Sequence, residues 1–255
     1  MHYLPNYMVL HKINSGEDNL VFIKTQSYNK TLKILKKLKK SRGKIVHILG
    51  APGTGKSANL YQGIYESDLN IYEVKSSLSS ENASSKEVFC TLVQDLKNSL
   101  GAKTRKDAYK KLSQFDAVLF ADQFHDQHLI KTERIGFSKW TRKAGFKSLN
   151  FYLICIYEYV KYYNEFHDIN IIFQTAWRIR FRGKKYDLFN DFGIFSRIII
   201  KILEKLFYVE EISYSRSETI NIVKAHLNHI DNKKLEACIE KYGNRPRFLL
   251  DNLEY

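Results

Sequence analysis

The sequence predicts an α/β fold, a three-layer αβα core with a mainly parallel sheet, followed by a small helical lid at the C-terminus. Three observations carry that expectation. First, the apolar run Lys44-Ile45-Val46-His47-Ile48-Leu49 passes through a glycine-rich loop into a helical pattern carried by Ala58, Leu60, Tyr61 and Ile64. Second, short strand patterns then alternate with helical ones, an order that folds as parallel strands covered by helices on both faces. Third, Ser217–Leu227, Asn232–Tyr242 and Arg247–Leu253 read as three short helices. The expected division is an N-terminal hairpin and basic helix over residues 1–40, a core over 41–213 and a helical lid over 214–255.

The elements follow in order. Tyr7 to Lys24 holds the apolar runs Met8-Val9-Leu10 and Leu20-Val21-Phe22-Ile23 around a turn-like Asn14-Ser15-Gly16-Glu17-Asp18, which reads as a hairpin. Tyr28 to Lys40 sets Leu32, Ile34, Leu35 and Leu38 on one side of a helix and Lys30, Lys33, Lys36, Lys37 and Lys40 on the others. After the glycine loop, Leu69–Val74 reads as a strand, Ser76–Ser85 as a loop, and Lys86–Leu100 and Thr104–Leu112 as helices. Phe115–Asp122 is a buried strand ending in an acid. The helix Leu149–Tyr163 and the strand Ile169–Gln174 come next.

Gly50-Ala51-Pro52-Gly53-Thr54-Gly55-Lys56-Ser57 has the form G-x-x-x-x-G-K-[ST], and its place between a strand and a helix is the context in which that pattern binds phosphate. Gly50, Gly53 and Gly55 permit backbone conformations closed to other residues, so successive N–H groups face one anion, and the N-terminus of the next helix adds partial positive charge. Lys56 is expected on the outer phosphates of a nucleotide, the Ser57 hydroxyl on a Mg2+ ion, and Ala58 in the same cradle. An aspartate at the end of a strand downstream, Asp122, suits the metal from the other side. Gln174 and Thr175 end the following strand, where one of them would sense the terminal phosphate or orient the attacking water. Trp177 to Tyr186 alternates basic and aromatic residues, and Arg178, Arg180, Arg182, Lys184 and Lys185 suit a nucleic-acid backbone with stacked bases.

Composition points the same way. The net charge of +14, 41 basic residues against 27 acidic, sets up a field that attracts polyanions, so nucleic acid, DNA foremost, is the expected partner. Cys90, Cys155 and Cys238 are isolated and odd in number, which argues against a disulfide framework and a zinc site and fits a reducing cytoplasm. The amino terminus lacks a secretory pattern, and Leu149–Tyr157 falls far short of the roughly 20 residues of a membrane helix, so no membrane partner is expected.

These residues together resemble the additional-strand, catalytic-glutamate class of P-loop ATPases. Within it, the chain resembles the AAA-plus group, including archaeal helicase-loader and origin-initiator ATPases. The helix before the loop strand, the strand ending in acid, the polar end of the next strand and the helical lid all match. That resemblance implies ATP and Mg2+ as ligands. It implies that Arg247, in Gly243-Asn244-Arg245-Pro246-Arg247, contacts the nucleotide from the lid as a second sensor. It also implies that Arg197, in Phe195-Ser196-Arg197, is a finger offered to a neighbouring subunit of a homo-oligomer. A second resemblance is to the RecA-like group that includes RadB and KaiC relatives, whose late paired strands are similar to Ile198–Leu206 and Thr219–Lys224; there Glu73 would be the catalytic glutamate. Ser217-Glu218-Thr219 reads more as a helix start, which favours AAA-plus. One departure bears on activity: the glutamate that follows the strand-end aspartate in AAA-plus proteins is replaced by Gln123. An amide cannot accept a proton from water, so Gln123 would only orient the nucleophile, Asp126 or Glu73 would substitute as base, and hydrolysis would be slow or absent.

Overall fold

A computed structural model describes residues 22–73, 78, 80–121, 140, 146–174, 178–181, 184–189, 191–227 and 230–253. Helix α1 (Gln26–Leu38) leads into β1 (Ile45–Leu49), α2 (Lys56–Ser67) and β2 (Ile71–Glu73). Then come α3 (Ser85–Ser99), α4 (Arg105–Ser113), β3 (Val118–Ala121), α5 (Phe146–Lys161), α6 (Tyr163–Phe166) and β4 (Ile171–Gln174). A hairpin, β5 (Arg178–Phe181) and β6 (Lys184–Asp187), precedes α7 (Ile194–Leu206) and β7 (Tyr208–Glu211). The chain closes with α8 (Arg216–His226), α9 (Asn232–Tyr242) and α10 (Pro246–Leu253).

Five strands form one sheet in the order β2-β3-β4-β1-β7, and every pairing in it is parallel. Strand β4 therefore stands between β1 and β3. The register pairs Ile45 with Ile171, His47 with Phe173 and with Val209, and Ile48 with Gln174. Because side chains alternate across a strand, Val46 and Ile48 face one layer of helices and Ile45, His47 and Leu49 the other. On the first side they meet Leu35 and Leu38 of α1 and Leu60 and Ile64 of α2. On the second, Ile45 meets Leu96 of α3, Tyr109 and Leu112 of α4 and Phe166 of α6, while Leu49 meets Leu203 of α7. Helices on both faces of a parallel sheet explain why β1 is buried along its whole length and reads as an unbroken apolar run apart from His47.

That one polar residue is accommodated by aromatic rings. His47 is 0% exposed, stacks on Phe173 at 5.3 Å and meets the edges of Tyr152 of α5 and Phe207 at the end of α7. Its Nε2 lies 3.2 Å from the Tyr152 hydroxyl, and burial lowers its pKa from 6.5 to about 4. The shared contact also fixes α5 and α7 on the same face of the sheet.

The C-terminal helices α8–α10 pack on one another around Val223, Leu235, Ile239 and Leu249. Ser215 starts α8 with a reciprocal capping box to Glu218, and the Glu218 carboxylate also accepts the backbone N–H of Gln26 at 2.9 Å. One acid thus ties the starts of α1 and α8. Its pKa is lowered, first by the Gln26 N–H and then by Ser215.

The expected fold class is the observed one. The basic helix starts at Gln26 rather than Tyr28, because Thr25 accepts the Tyr28 N–H and caps it. Its lysines at 30, 33, 36 and 37 are exposed, as is Lys40 just past its end at Leu38, and Leu35 and Leu38 are buried. The strand pairing drawn from the RecA-like resemblance is corrected: Ile198–Leu206 and Thr219–Lys224 lie in the helices α7 and α8. In α7, Ile199, Ile200 and Leu203 turn inward while Lys201, Glu204 and Lys205 are exposed, which is a helical period. Neither the β5–β6 hairpin nor β7 was expected. The hairpin expected over Tyr7–Lys24 falls outside the described residues except for its last three.

Candidate functional site

The loop between β1 and α2 lies at the carboxyl end of the sheet, between the ends of β4 and β7. Three of its residues have positive φ, Gly50 at 148°, Gly53 at 85° and Gly55 at 71°. At Gly50 a Cβ would lie 2.8 Å from the Ile212 carbonyl oxygen and 2.9 Å from Thr54 Oγ1, so glycine is required by space as well as by conformation. Thr54 braces the loop by donating its hydroxyl to the Ala51 carbonyl at 2.8 Å. Gly55 precedes α2 in a left-handed conformation, and no side chain caps the helix. The first-turn N–H groups of α2 are therefore oriented for an anion rather than for an internal cap.

Lys56 folds back over the loop. Its Nζ donates to the Gly50 carbonyl at 2.7 Å and the Ala51 carbonyl at 3.1 Å. From β4, Gln174 Nε2 donates to Ser57 Oγ at 2.8 Å, which brings together two residues predicted independently from sequence. The register explains the contact: Gln174 pairs with Ile48, two residues before the loop.

Four further residues frame the loop. Asn59 Nδ2 donates to the Gly55 carbonyl at 2.8 Å and to the Tyr214 hydroxyl at 2.7 Å. Tyr214, following β7, thereby reaches Gly55, and burial foremost raises its pKa. From α10, the Arg247 backbone N–H donates to the Gly53 carbonyl at 3.2 Å, and the Phe248 ring lies 3.4 Å from where a Gly53 Cβ would stand. Asn59, Tyr214 and Phe248 carry no local sequence signal; Tyr214 is 155 residues from Asn59 and only the folded sheet joins them.

Other predicted residues stand as follows. Arg247 is exposed in the first turn of α10, with its backbone on the loop. Arg197 is exposed in the first turn of α7 and acts electrostatically on Glu211 of its own chain, whose pKa is raised chiefly by burial. Neighbouring Glu210 is pushed up to about 7 by burial, against the pull of Lys30. Strand β3 ends at Ala121, so Asp122, Gln123 and Asp126 lie outside the described residues, as do Thr175 and Arg182. Arg178, Arg180, Lys184 and Lys185 are described as backbone of the antiparallel hairpin, and Glu73 as backbone of β2.

No protein family and no curated protein matches the chain. Among solved structures, AMPPCP-bound DnaA from Aquifex aeolicus is similar to it, with a TM-score of 0.42 and 16% sequence identity over 91% of this chain and 63% of that one. The chain thus spans less than two thirds of that protein's length. The parallel sheet, its helical layers and the strand–loop–helix at its carboxyl edge make this a P-loop NTPase-like αβα fold.

Proposed function

We propose that the chain binds ATP with Mg2+ at Gly50–Ser57 and hydrolyses its terminal phosphoanhydride. The observation that carries this reading is the junction of Gln174 with Ser57 beside a loop of three positive-φ glycines and an uncapped helix start. The donor set fits a triphosphate. Loop N–H groups and the α2 terminus would hold its inner charge, and Lys56, released from the Gly50 and Ala51 carbonyls, would reach the outer phosphates. Ser57 and Asp122 would hold Mg2+, which supplies charge neutralisation on the phosphate oxygens. Gln174 would orient water or the terminal phosphate, Arg197 would add a second cation at the transferring group held by a neighbouring subunit, and Arg247 would approach the nucleotide from α10.

Within the additional-strand P-loop ATPases, helices rather than strands at Ile198–Leu206 and after β7 support an AAA-plus-like reading over a RecA-like one. The net charge of +14 and the basic hairpin support nucleic acid as partner, with Arg178, Arg180, Arg182, Lys184 and Lys185 as its contacts. A second reading, a nucleotide-dependent switch with negligible turnover, is favoured by Gln123 after Asp122.

Calorimetric titration with Mg-ATP tests the binding, and ATPase assays with and without DNA test the rest. Saturable binding lost in Lys56→Ala supports the site. Turnover stimulated by DNA, and raised in Gln123→Glu, supports the enzyme, whereas binding without turnover supports the switch. Absence of heat and of thermal protection would refute both.

A further inference from the structure

Helices α5 and α7 lie on the same face of the sheet, and each turns an apolar stripe outward. On α7 the exposed residues Ile194 (77%), Phe195, Ile198, Ile202 and Leu206 (69%) recur at helical spacing over about 20 Å of helix. On α5, Phe146, Leu153, Tyr157 (66%) and Val160 do the same, and Tyr163 continues the line. Scattered exposed hydrophobes are ordinary, but two helices on one face of a sheet that each carry an exposed apolar stripe are not. The same two helices carry exposed cations: Lys147 and Lys161 on α5, and Lys201 and Lys205 on α7. The one exposed acid on these helices is Glu204, since Glu158 is buried and accepts the Tyr109 hydroxyl at 2.8 Å.

We propose that the α5–α7 face docks on the surface of an anionic lipid bilayer. The occupant must be polyanionic to match four cations against one acid, and must accept branched aliphatic side chains, which bases do not stack on. A second copy would set Lys201 and Lys205 against its own cations. A partner helix needs a groove, whereas two outward-facing ridges suit a broad surface into which both sink side by side. Lysine stems lie along the apolar surface while their ammonium groups reach phosphate, and tyrosines such as Tyr157 and Tyr163 suit the polar–apolar boundary. The short apolar run of the sequence speaks against a spanning helix, and among the described residues no helix is long and apolar enough to cross a membrane. Neither point bears on lying against one.

The test is co-sedimentation of the full chain with vesicles of equal parts phosphatidylglycerol and phosphatidylcholine, against pure phosphatidylcholine. Ile198→Glu with Ile202→Glu, and separately Leu153→Glu with Tyr157→Glu, are compared at matched thermal stability. The expected result is binding to anionic vesicles at low salt, weak binding to neutral ones, and a loss of at least about tenfold in each apolar variant. Three results would overturn the proposal: no binding to anionic vesicles; equal binding by wild type and both apolar variants, which is bulk charge attraction; or lipid-free self-association that Ile198→Glu with Ile202→Glu abolishes, which assigns the face to a second copy.

Discussion

Acid should weaken this protein through a residue in the middle of its sheet. His47 is fully buried among Phe173, Tyr152 and Phe207, and burial lowers its pKa from 6.5 to about 4. The unfolded chain therefore takes up the proton first as pH falls, so the stability present above pH 6.5 is lost progressively down to about pH 4. A displacement of that size, at roughly 1.4 kcal/mol per pH unit, amounts to about 3 kcal/mol in all and about 2 kcal/mol between pH 6.5 and 5. Glu210 acts in the opposite sense over part of this window, because its raised pKa lets the folded state hold a proton that the unfolded chain has lost. Comparing two proteins at each pH removes that contribution. The substitution is His47→Phe, which keeps a flat ring against Phe173 and has nothing to titrate. Urea unfolding at pH 7, 6 and 5 should show the wild type losing about 2 kcal/mol more than the variant by pH 5. Parallel pH dependences in the two proteins would refute the reasoning.

Other expectations concern the loop and its supports. Gly50→Ala places a methyl group against the Ile212 carbonyl and Thr54 Oγ1, so thermal protection by Mg-ATP should disappear in a fluorescence melt. Gln174→Ala removes the donor to Ser57 and should lower single-turnover hydrolysis by about tenfold or more while Mg-ATP affinity measured by calorimetry changes far less. Glu218→Ala leaves the Ser215 cap of α8 but removes the carboxylate that accepts the Ser215 and Gln26 N–H groups, and should cost about 1–2 kcal/mol in denaturant unfolding, with no change in that cost when salt is raised to screen long-range charge.

What could be read from the sequence was what depends on neighbours along the chain. Gly50 to Ser57 was legible because the chemistry of the loop is written in eight consecutive residues, and Leu35 and Leu38 because a helix repeats over a few turns. Asn59, Tyr214 and Phe248 were not, since each matters only through partners that the sheet or α10 brings near. Strand β7, Tyr208-Val209-Glu210-Glu211, escaped because it is an edge strand with two acids and has no apolar run to betray it. The β5–β6 hairpin escaped for a related reason: its charges read as a contact surface and masked its pairing. Ile198–Leu206 resembled a strand because its apolar run is compatible with either period, and the inward turn of Ile199, Ile200 and Leu203 makes it a helix.

The position of β1 has a consequence for biosynthesis. Its partners, β4 and β7, come more than 120 residues later in the chain, with Ile45 beside Ile171 and Val46 beside Tyr208. A nascent polypeptide that has emerged only as far as β3 holds all of Gly50 to Ser57, yet the strand leading into that loop is bare along both edges. Ligand affinity should therefore arise late in translation, and N-terminal fragments ending before residue 170 should carry the signature and lack the property.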